Sequence, residues 1–455
     1  MLESLEIENF KAFSNKQKLK LSPITLIYGP NSSGKSSLIQ SIMMLKQSIL
    51  SKNKDGVVIT SGDSIGLGDF KSLVNSQNED KKIFLSLHYK NNHNAQDYMQ
   101  KFSRKMLFSN NDSRNLNFII GFQKVPYIEH YNFNCIDKNN KNNKNNIKIN
   151  IDFDKVYHTS QNNDYVLRES GYLKFSLLNR HDSQNISSDE LNILNRNLSS
   201  LFKSNSRINF PTEPEKSLFI LNDYMEKIVD DIEHLFNNIL YLGPLRSSPK
   251  RFYSADISNY QKGQGKKNLG MELFNASKEV KEKVNDLLSK FNIPYVVDAK
   301  DIGNYNTGTL ISIQLTDIRN NAVITPKDVG FGIGQVLPII LESVIASNKT
   351  LCIEQPEIHL HPKLQADLAD LFIDSIMENG NQWIIETHSE SLMLRIQRRI
   401  REKKLSKDKV SVLYVDIGEF GAQVTELPLD DDGDFMTEWP NGFFEERLNE
   451  LFGNE

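Results

Sequence analysis

The chain has 455 residues, 38% hydrophobic and 25% charged, a balance that excludes a wholly disordered polymer and leaves room for two or three domains' worth of core. A net charge of −4 gives no global electrostatic case for nucleic acid, so any such contact needs a local basic patch. Cysteine occurs only at Cys135 and Cys352, without CxxC spacing, which argues against a disulfide scaffold or a zinc site and fits a reducing cytosol.

The opening stretch MLESLEIENFKAF carries neither the basic n-region nor the apolar core of a signal peptide. No apolar run approaches the ~20 residues of a spanning helix, so a cytoplasmic protein is expected, with any membrane contact made through a partner. Leu2, Leu5, Ile7 and Phe10 alternate with polar residues, and ITLIYG (24–29) follows as a buried strand entering a glycine loop. SSLIQSIMMLKQSIL (36–50) reads as a core helix. Residues 1–90 therefore form a first segment built on strand, loop and helix. From 91 to 240 asparagine, serine and lysine dominate, which predicts an inserted α+β segment with a mobile loop near 138–146.

Regular patterning returns with a long amphipathic helix and a strand ending at Gly243–Pro244. A helix is expected over Met271–Phe291, then a hairpin through YVVDAK and TGTLISIQLTD. Helix and strand alternate through GIGQVLPIILESVIAS, KTLCIE, KLQADLADLFIDSIME and QWIIETHS. That alternation predicts an α/β fold, a parallel sheet covered by helices, over 241–428, with a short tail at 429–455.

GPNSSGKSS (29–37) fits the phosphate loop G-x-x-x-x-G-K-[ST], and it sits between a buried strand and a core helix, as the chemistry requires. Gly29 and Gly34 let the backbone turn its N–H groups inward, with Asn31 and Ser37 in the same loop. Lys35 reaches β- and γ-phosphate oxygens, Ser36 offers a hydroxyl to Mg²⁺, and the helix start favours an anion. KTLCIE ends on Glu354, where a metal-binding acid belongs. VGFGIGQVLP (329–338) is a glycine-rich turn entering an apolar helix, and IETHS (385–389) ends a strand at His388.

The order of phosphate loop, glycine-rich helix start, acid strand and strand-end histidine resembles the ABC-type ATPase head. The resemblance lies in the branch containing SMC, RecF and the overcoming-lysogenization-defect ATPases. YLGPLR (241–246), EQPEIHLHP and WPNGFFEERLNELFG narrow it to bacterial stand-alone AAA-labelled ATPases with a short C-terminal tail. The resemblance covers roughly the first 90 and last 215 residues. It implies ATP and Mg²⁺, with Ser36 and Glu354 on the metal. Two heads would sandwich two ATPs, each phosphate loop facing the partner's Gly332, Gly334 and Gln335. That makes a homodimer or a higher homo-oligomer. It implies further that the ATPase gates a separate effector, a nuclease or other toxin, in anti-phage defence. A DNA-binding repair ATPase of RecF type is the alternative.

In such heads a glutamate usually follows the metal acid, whereas Gln355 stands here. A glutamine orients water but accepts no proton. Glu357, two residues on, is either an alternative base or the residue that orients the turn before HLHP. Slow turnover is expected, because loss of a general base costs ~10²–10⁴-fold. Gln355, Glu357 and His388 are thus the catalytic candidates. Gln47 and Gln77 both fit the glutamine loop. His359 and His361 lack the partners of a zinc site, so no metal beyond Mg²⁺ is expected. RIQRRIREKK (395–404) is either a solvated face or a surface for nucleic acid, with Arg246, Lys250 and Arg251 as further cations. DDDGD (430–434) reads as an acidic surface loop.

Overall fold

The computed structural model describes residues 1–51, 58–62, 64–91, 113–122, 126–136, 148–156, 170–177, 228–244, 246, 250–254 and 269–440. The loop expected near 138–146 and the tail beyond Pro440 lie outside the described residues. Two compact units emerge. The first comprises Met1–Leu21, Asn31–Ile239 and Val415–Val424, the second Ser22–Pro30, Leu240–Tyr414 and Thr425–Glu455.

The first unit is built on one antiparallel sheet. Its strands are β1 (Leu2–Glu8), β2 (Gln17–Lys20), β4 (Ile83–Tyr89), β5 (Ser113–Phe122), β6 (Pro126–Ile136), β7 (Lys148–Val156) and β8 (Ser170–Leu177), in the order β2-β1-β4-β5-β6-β7-β8. The expected insertion therefore continues the opening sheet by successive antiparallel pairings. Period-two patterning explains how an asparagine-rich segment does this. Leu116, Phe118 and Ile120 of β5 are buried, while Asn115 and Asn117 between them are half-buried. Helix α1 (Lys35–Leu50) buries Leu38, Ile39, Ile42, Met43, Met44 and Leu45. Its apolar residues lie all round, as in a core helix. Arg114 and Asp231, both 0% exposed, pair at 3.0 Å. Asp231 also accepts from Tyr89 and Asn91, so the buried charges are hydrogen-bonded as such a pair requires. Asp231 belongs to helical residues 228–237, here α3, after the short α2 (Phe70–Leu73).

The second unit carries β3 (Ile24–Tyr28), β14 (Thr350–Glu354) and β15 (Gln382–Glu386), every residue of which is buried. They run parallel within a six-stranded sheet whose other members are β9 (Ile239–Leu242), β16 (Val410–Gly418) and β17 (Gly421–Glu426), in the order β17-β16-β3-β15-β14-β9. Continuous apolar runs such as TLCI and WII suit strands covered on both faces. Helices α6 (Phe331–Ile345), α7 (Pro362–Glu378) and α8 (Glu390–Arg401) alternate with these strands. The expected α/β architecture is borne out in its parallel sheet covered by helices, while the N-terminal β region expected to be mixed is antiparallel throughout the described strands.

One expected element differs. The single helix over Met271–Phe291 is two, α4 (Leu269–Asn275) and α5 (Lys278–Lys290). Ser277 accepts a hydrogen bond from the Val280 N–H and starts a new helix there, an N-cap that hydrophobic periodicity does not register. The expected hairpin is β11 (Tyr295–Asp301) with β12 (Leu310–Asp317), paired antiparallel along its length. β12 also pairs the short β10 (Tyr253–Ser254) and β13 (Val323–Ile324). Asn285 of α5 bonds both the N–H and the carbonyl of Val297, protecting the outer edge of β11 against pairing with another chain. Among the described residues no helix is long and apolar enough to cross a membrane.

Trp439 stands edge-on to Tyr28 at the end of β3, with ring centroids 5.4 Å apart, and also meets Phe435 and Tyr414. Trp439→Ala is expected to cost about 2–3 kcal/mol, the scale of losing a half-buried aromatic and its edge contacts. Thermal and urea unfolding would measure it, and an unchanged midpoint would show that the tail does not brace the strand.

Candidate functional site

The phosphate-loop sequence follows directly on β3. Positive φ values at Gly29 (143°), Ser32 (64°) and Gly34 (103°) fold it into the tight turn that glycine permits. A Cβ on Gly34 would come 3.2 Å from Ala12 Cβ, so a larger residue is both strained and crowded there. α1 begins at Lys35 with Gly34 as its N-cap, which offers no side chain to the first N–H groups. Lys35 is 4% exposed, Ser37 is buried, and Asn31 lies at the surface. Ser33 Oγ is buried without a hydrogen-bond partner among the described residues. A helix start without a side-chain cap and the Ser33 hydroxyl suit phosphate oxygens. The residues present fit a nucleotide.

Glu354 and Glu386 belong to the second unit. Register pairs Glu354 with Glu386 and Glu386 with Ile27, so the carboxyl ends of β14, β15 and β3 lie level at one sheet edge. Ligands of open α/β sheets bind at such ends. Glu354 and Glu386 are both buried. Two adjacent carboxylates suit a magnesium ion that keeps several waters and takes phosphate oxygens. Tyr241 donates its hydroxyl to Glu354 Oε1 at 2.9 Å. Burial, reinforced by the Glu354 charge, raises the phenol's pKa, so it remains a donor.

Gln355 sits in the left-handed region at φ 46°, an unusual conformation for a side chain of this size. Its N–H donates to the Glu386 carbonyl at 2.7 Å, and its own carbonyl accepts from Arg246. Glu357 Oε1 accepts the backbone N–H of His388 at 2.6 Å. That bond ties the glutamate to the strand-end turn, which Ser389 continues by capping α8. His361 accepts from Lys363 N–H as N-cap of α7.

Burial raises the Glu357 pKa, the His388 bond opposing it. The folded state thus holds this proton more tightly than the unfolded one. The stabilisation is full below the ordinary glutamate value of ~4.3 and is lost as pH rises through the folded value. Glu357→Gln keeps an acceptor for His388 without the buried charge. Melting curves from pH 4 to 8 should show the variant gaining on the wild type as pH rises; a wild type that gains instead would contradict this.

The glycine-rich turn opens α6. Gly330 is exposed, Gly332 half-buried and Gly334 buried. A Cβ on Gly332 would come 3.0 Å from the His359 carbonyl, so this turn packs closely on the loop after the acid strand. Gln335 is 0% exposed and accepts from Arg246 through Oε1 and its carbonyl. Its side chain thus faces inward. Of the glutamine-loop candidates, Gln47 donates to the Ile59 carbonyl and Gln77 is exposed.

The basic run is heavily paired. Arg395 and Arg399 bond Asp370, Arg398 bonds Glu402, Arg401 bonds Asp434, and Lys403 bonds Asp432. The DDDGD segment thus supplies counter-charges to this helix. Arg246 is buried, and Arg251 pairs with Asp328. Sequence reasoning passed over the roles of Tyr241, Arg246 and Glu386. One signal was available for the last, since TLCIE and QWIIE both end on glutamate.

A family model described as "AAA ATPase domain" matches residues 1–393. No protein of curated function matches the sequence. The SMC head domain from Thermotoga maritima is similar at 11% identity and a TM-score of 0.39, covering 94% of this chain and 99% of that one. A Pyrococcus yayanosii Smc head domain with a coiled coil and joint gives 9% identity and a TM-score of 0.41, over 95% and 98%. A Pyrococcus furiosus Smc head domain bound to the C-terminal domain of ScpA gives 10% and 0.40, over 99% and 98%.

Proposed function

This chain belongs to the AAA ATPase domain family, and from that premise we propose that it binds ATP with magnesium, hydrolyses it slowly, and controls a separate effector through its nucleotide state. The observation that carries the slow step is the end of β14, where Glu354 is held by Tyr241 and the neighbouring position is the neutral Gln355. Lys35 and the first N–H groups of α1 bind the phosphates, with Asn31 and Ser37 in the same loop. The Ser36 hydroxyl and the Glu354 carboxylate are the magnesium ligands. Bound magnesium would neutralise phosphate charge. Gln355 orients water without taking its proton, and Glu357 fixes the His388 turn through the bond to the His388 N–H. Positioning and electrostatics without a strong base give slow turnover.

Assembly through the Gly332–Gln335 turn into a homodimer or larger homo-oligomer, control of a nuclease or other toxin, and a role in anti-phage defence rest on the sequence resemblance. Pairing of the Arg395–Lys404 cations gives the DNA-binding alternative no added support. Phosphate release and nucleotide binding by the purified chain test the enzymatic part. Co-purification from cells, with and without the Lys35 side chain, tests the effector. A chain that neither binds nor hydrolyses ATP would overturn the reading.

A further inference from the structure

Arg246 is 7% exposed, yet none of its four hydrogen-bond acceptors among the described residues is a carboxylate. Its guanidinium donates to the Gln335 carbonyl at 3.4 Å, Gln335 Oε1 at 3.4 Å, the Glu354 carbonyl at 3.2 Å and the Gln355 carbonyl at 3.3 Å. Burial lowers its pKa to about 10, so it stays charged at neutral pH. The Glu357 carboxylate favours the charge without hydrogen-bonding it, and a buried guanidinium bonded only to neutral oxygens is an inefficient source of stability. What a planar fork gains is the ability to hold two elements at once.

Those elements are α6 at Gln335, the residue directly after Gly334, and the end of β14. At the second, both backbone groups of the left-handed Gln355 are held, the N–H by Glu386 and the carbonyl by Arg246. The same segment sends Tyr241 to the Glu354 side chain. YLGPLR thus grips the acid by side chain and main chain, and grips α6 at Gln335, next to the glycine-rich turn.

We propose that Arg246 is a positioning residue that couples the Gly330–Gly334 turn to Glu354 and Gln355, so that self-association at the turn and hydrolysis at the acid strand rise and fall together. This rests on the ATPase reading above. The phosphate loop makes none of these contacts, so nucleotide affinity and catalysis separate when the fork is removed.

The test compares wild type, Arg246→Ala and Arg246→Lys for ATP-analogue affinity, kcat and KM of phosphate release, and ATP-dependent sedimentation. In Arg246→Ala, affinity and KM should stay within about threefold, while kcat and self-association each fall about tenfold or more. Lysine should not restore them, because it lacks the fork. Added ethylguanidinium should recover part of kcat in the alanine variant, and ethylammonium should not. Gln335→Met provides a milder break, and combining it with Arg246→Ala should be less than additive. A folded Arg246→Ala with wild-type kcat and self-association overturns the proposal. So does a parallel loss of affinity, kcat and thermal stability without rescue, which marks a merely structural arginine. A wild type that binds no ATP overturns the ATPase reading itself; a wild type that hydrolyses ATP while Arg246→Ala does so equally overturns this inference alone.

Discussion

Gln355→Glu is expected to raise ATP turnover by about 10²-fold, the lower end of what a positioned general base contributes. The substitution is nearly isosteric and leaves the backbone bonds to Glu386 and Arg246 in place. It adds a proton acceptor directly after the metal acid and little else. Substrate affinity should change less than turnover, because the phosphates are bound elsewhere in the chain. Multiple-turnover phosphate release with saturating ATP and Mg²⁺ reads the effect. A variant no faster than wild type would show that base catalysis is not what limits the reaction.

Lys35→Ala is expected to weaken ATP binding roughly a hundredfold or more, since charge-assisted hydrogen bonds contribute ~1.5–3 kcal/mol each and this side chain would make two. The residue is the first of α1, and Leu38, Ile39, Ile42, Met43, Met44 and Leu45 bury the apolar length of the helix behind it. Folding should therefore survive, and equilibrium titration with a fluorescent ATP analogue separates lost binding from lost structure. Retained affinity would mean that GPNSSGKSS is a glycine loop without a ligand.

What could be read in the sequence followed from local pattern. Buried strands such as ITLIY and TLCIE announce themselves as apolar runs, and GPNSSGKSS carries its own chemistry in its spacing. The break at Ser277 was hidden because a cap is a single polar residue inside a periodic stretch. The Tyr241–Glu354 and Arg246–Glu354 bonds span 113 and 108 positions, and no local rule connects residues so far apart. The same distance problem concealed Arg401 of α8 meeting Asp434 and Lys403, just beyond it, meeting Asp432; read alone, that run looks like a free basic face. Glu386 was visible as a residue, but its place beside Glu354 came only with the strand register.

The central claim is slow hydrolysis by a site that binds its nucleotide well. Steady-state phosphate release by the wild type and by Glu357→Gln, with bound nucleotide identified in the same samples, tests it most directly. Turnover well below ~1 s⁻¹, the lower end of the usual enzyme range, with ATP persisting on the protein, is the predicted result. Turnover of many per second, unaffected by Glu357→Gln, would contradict it.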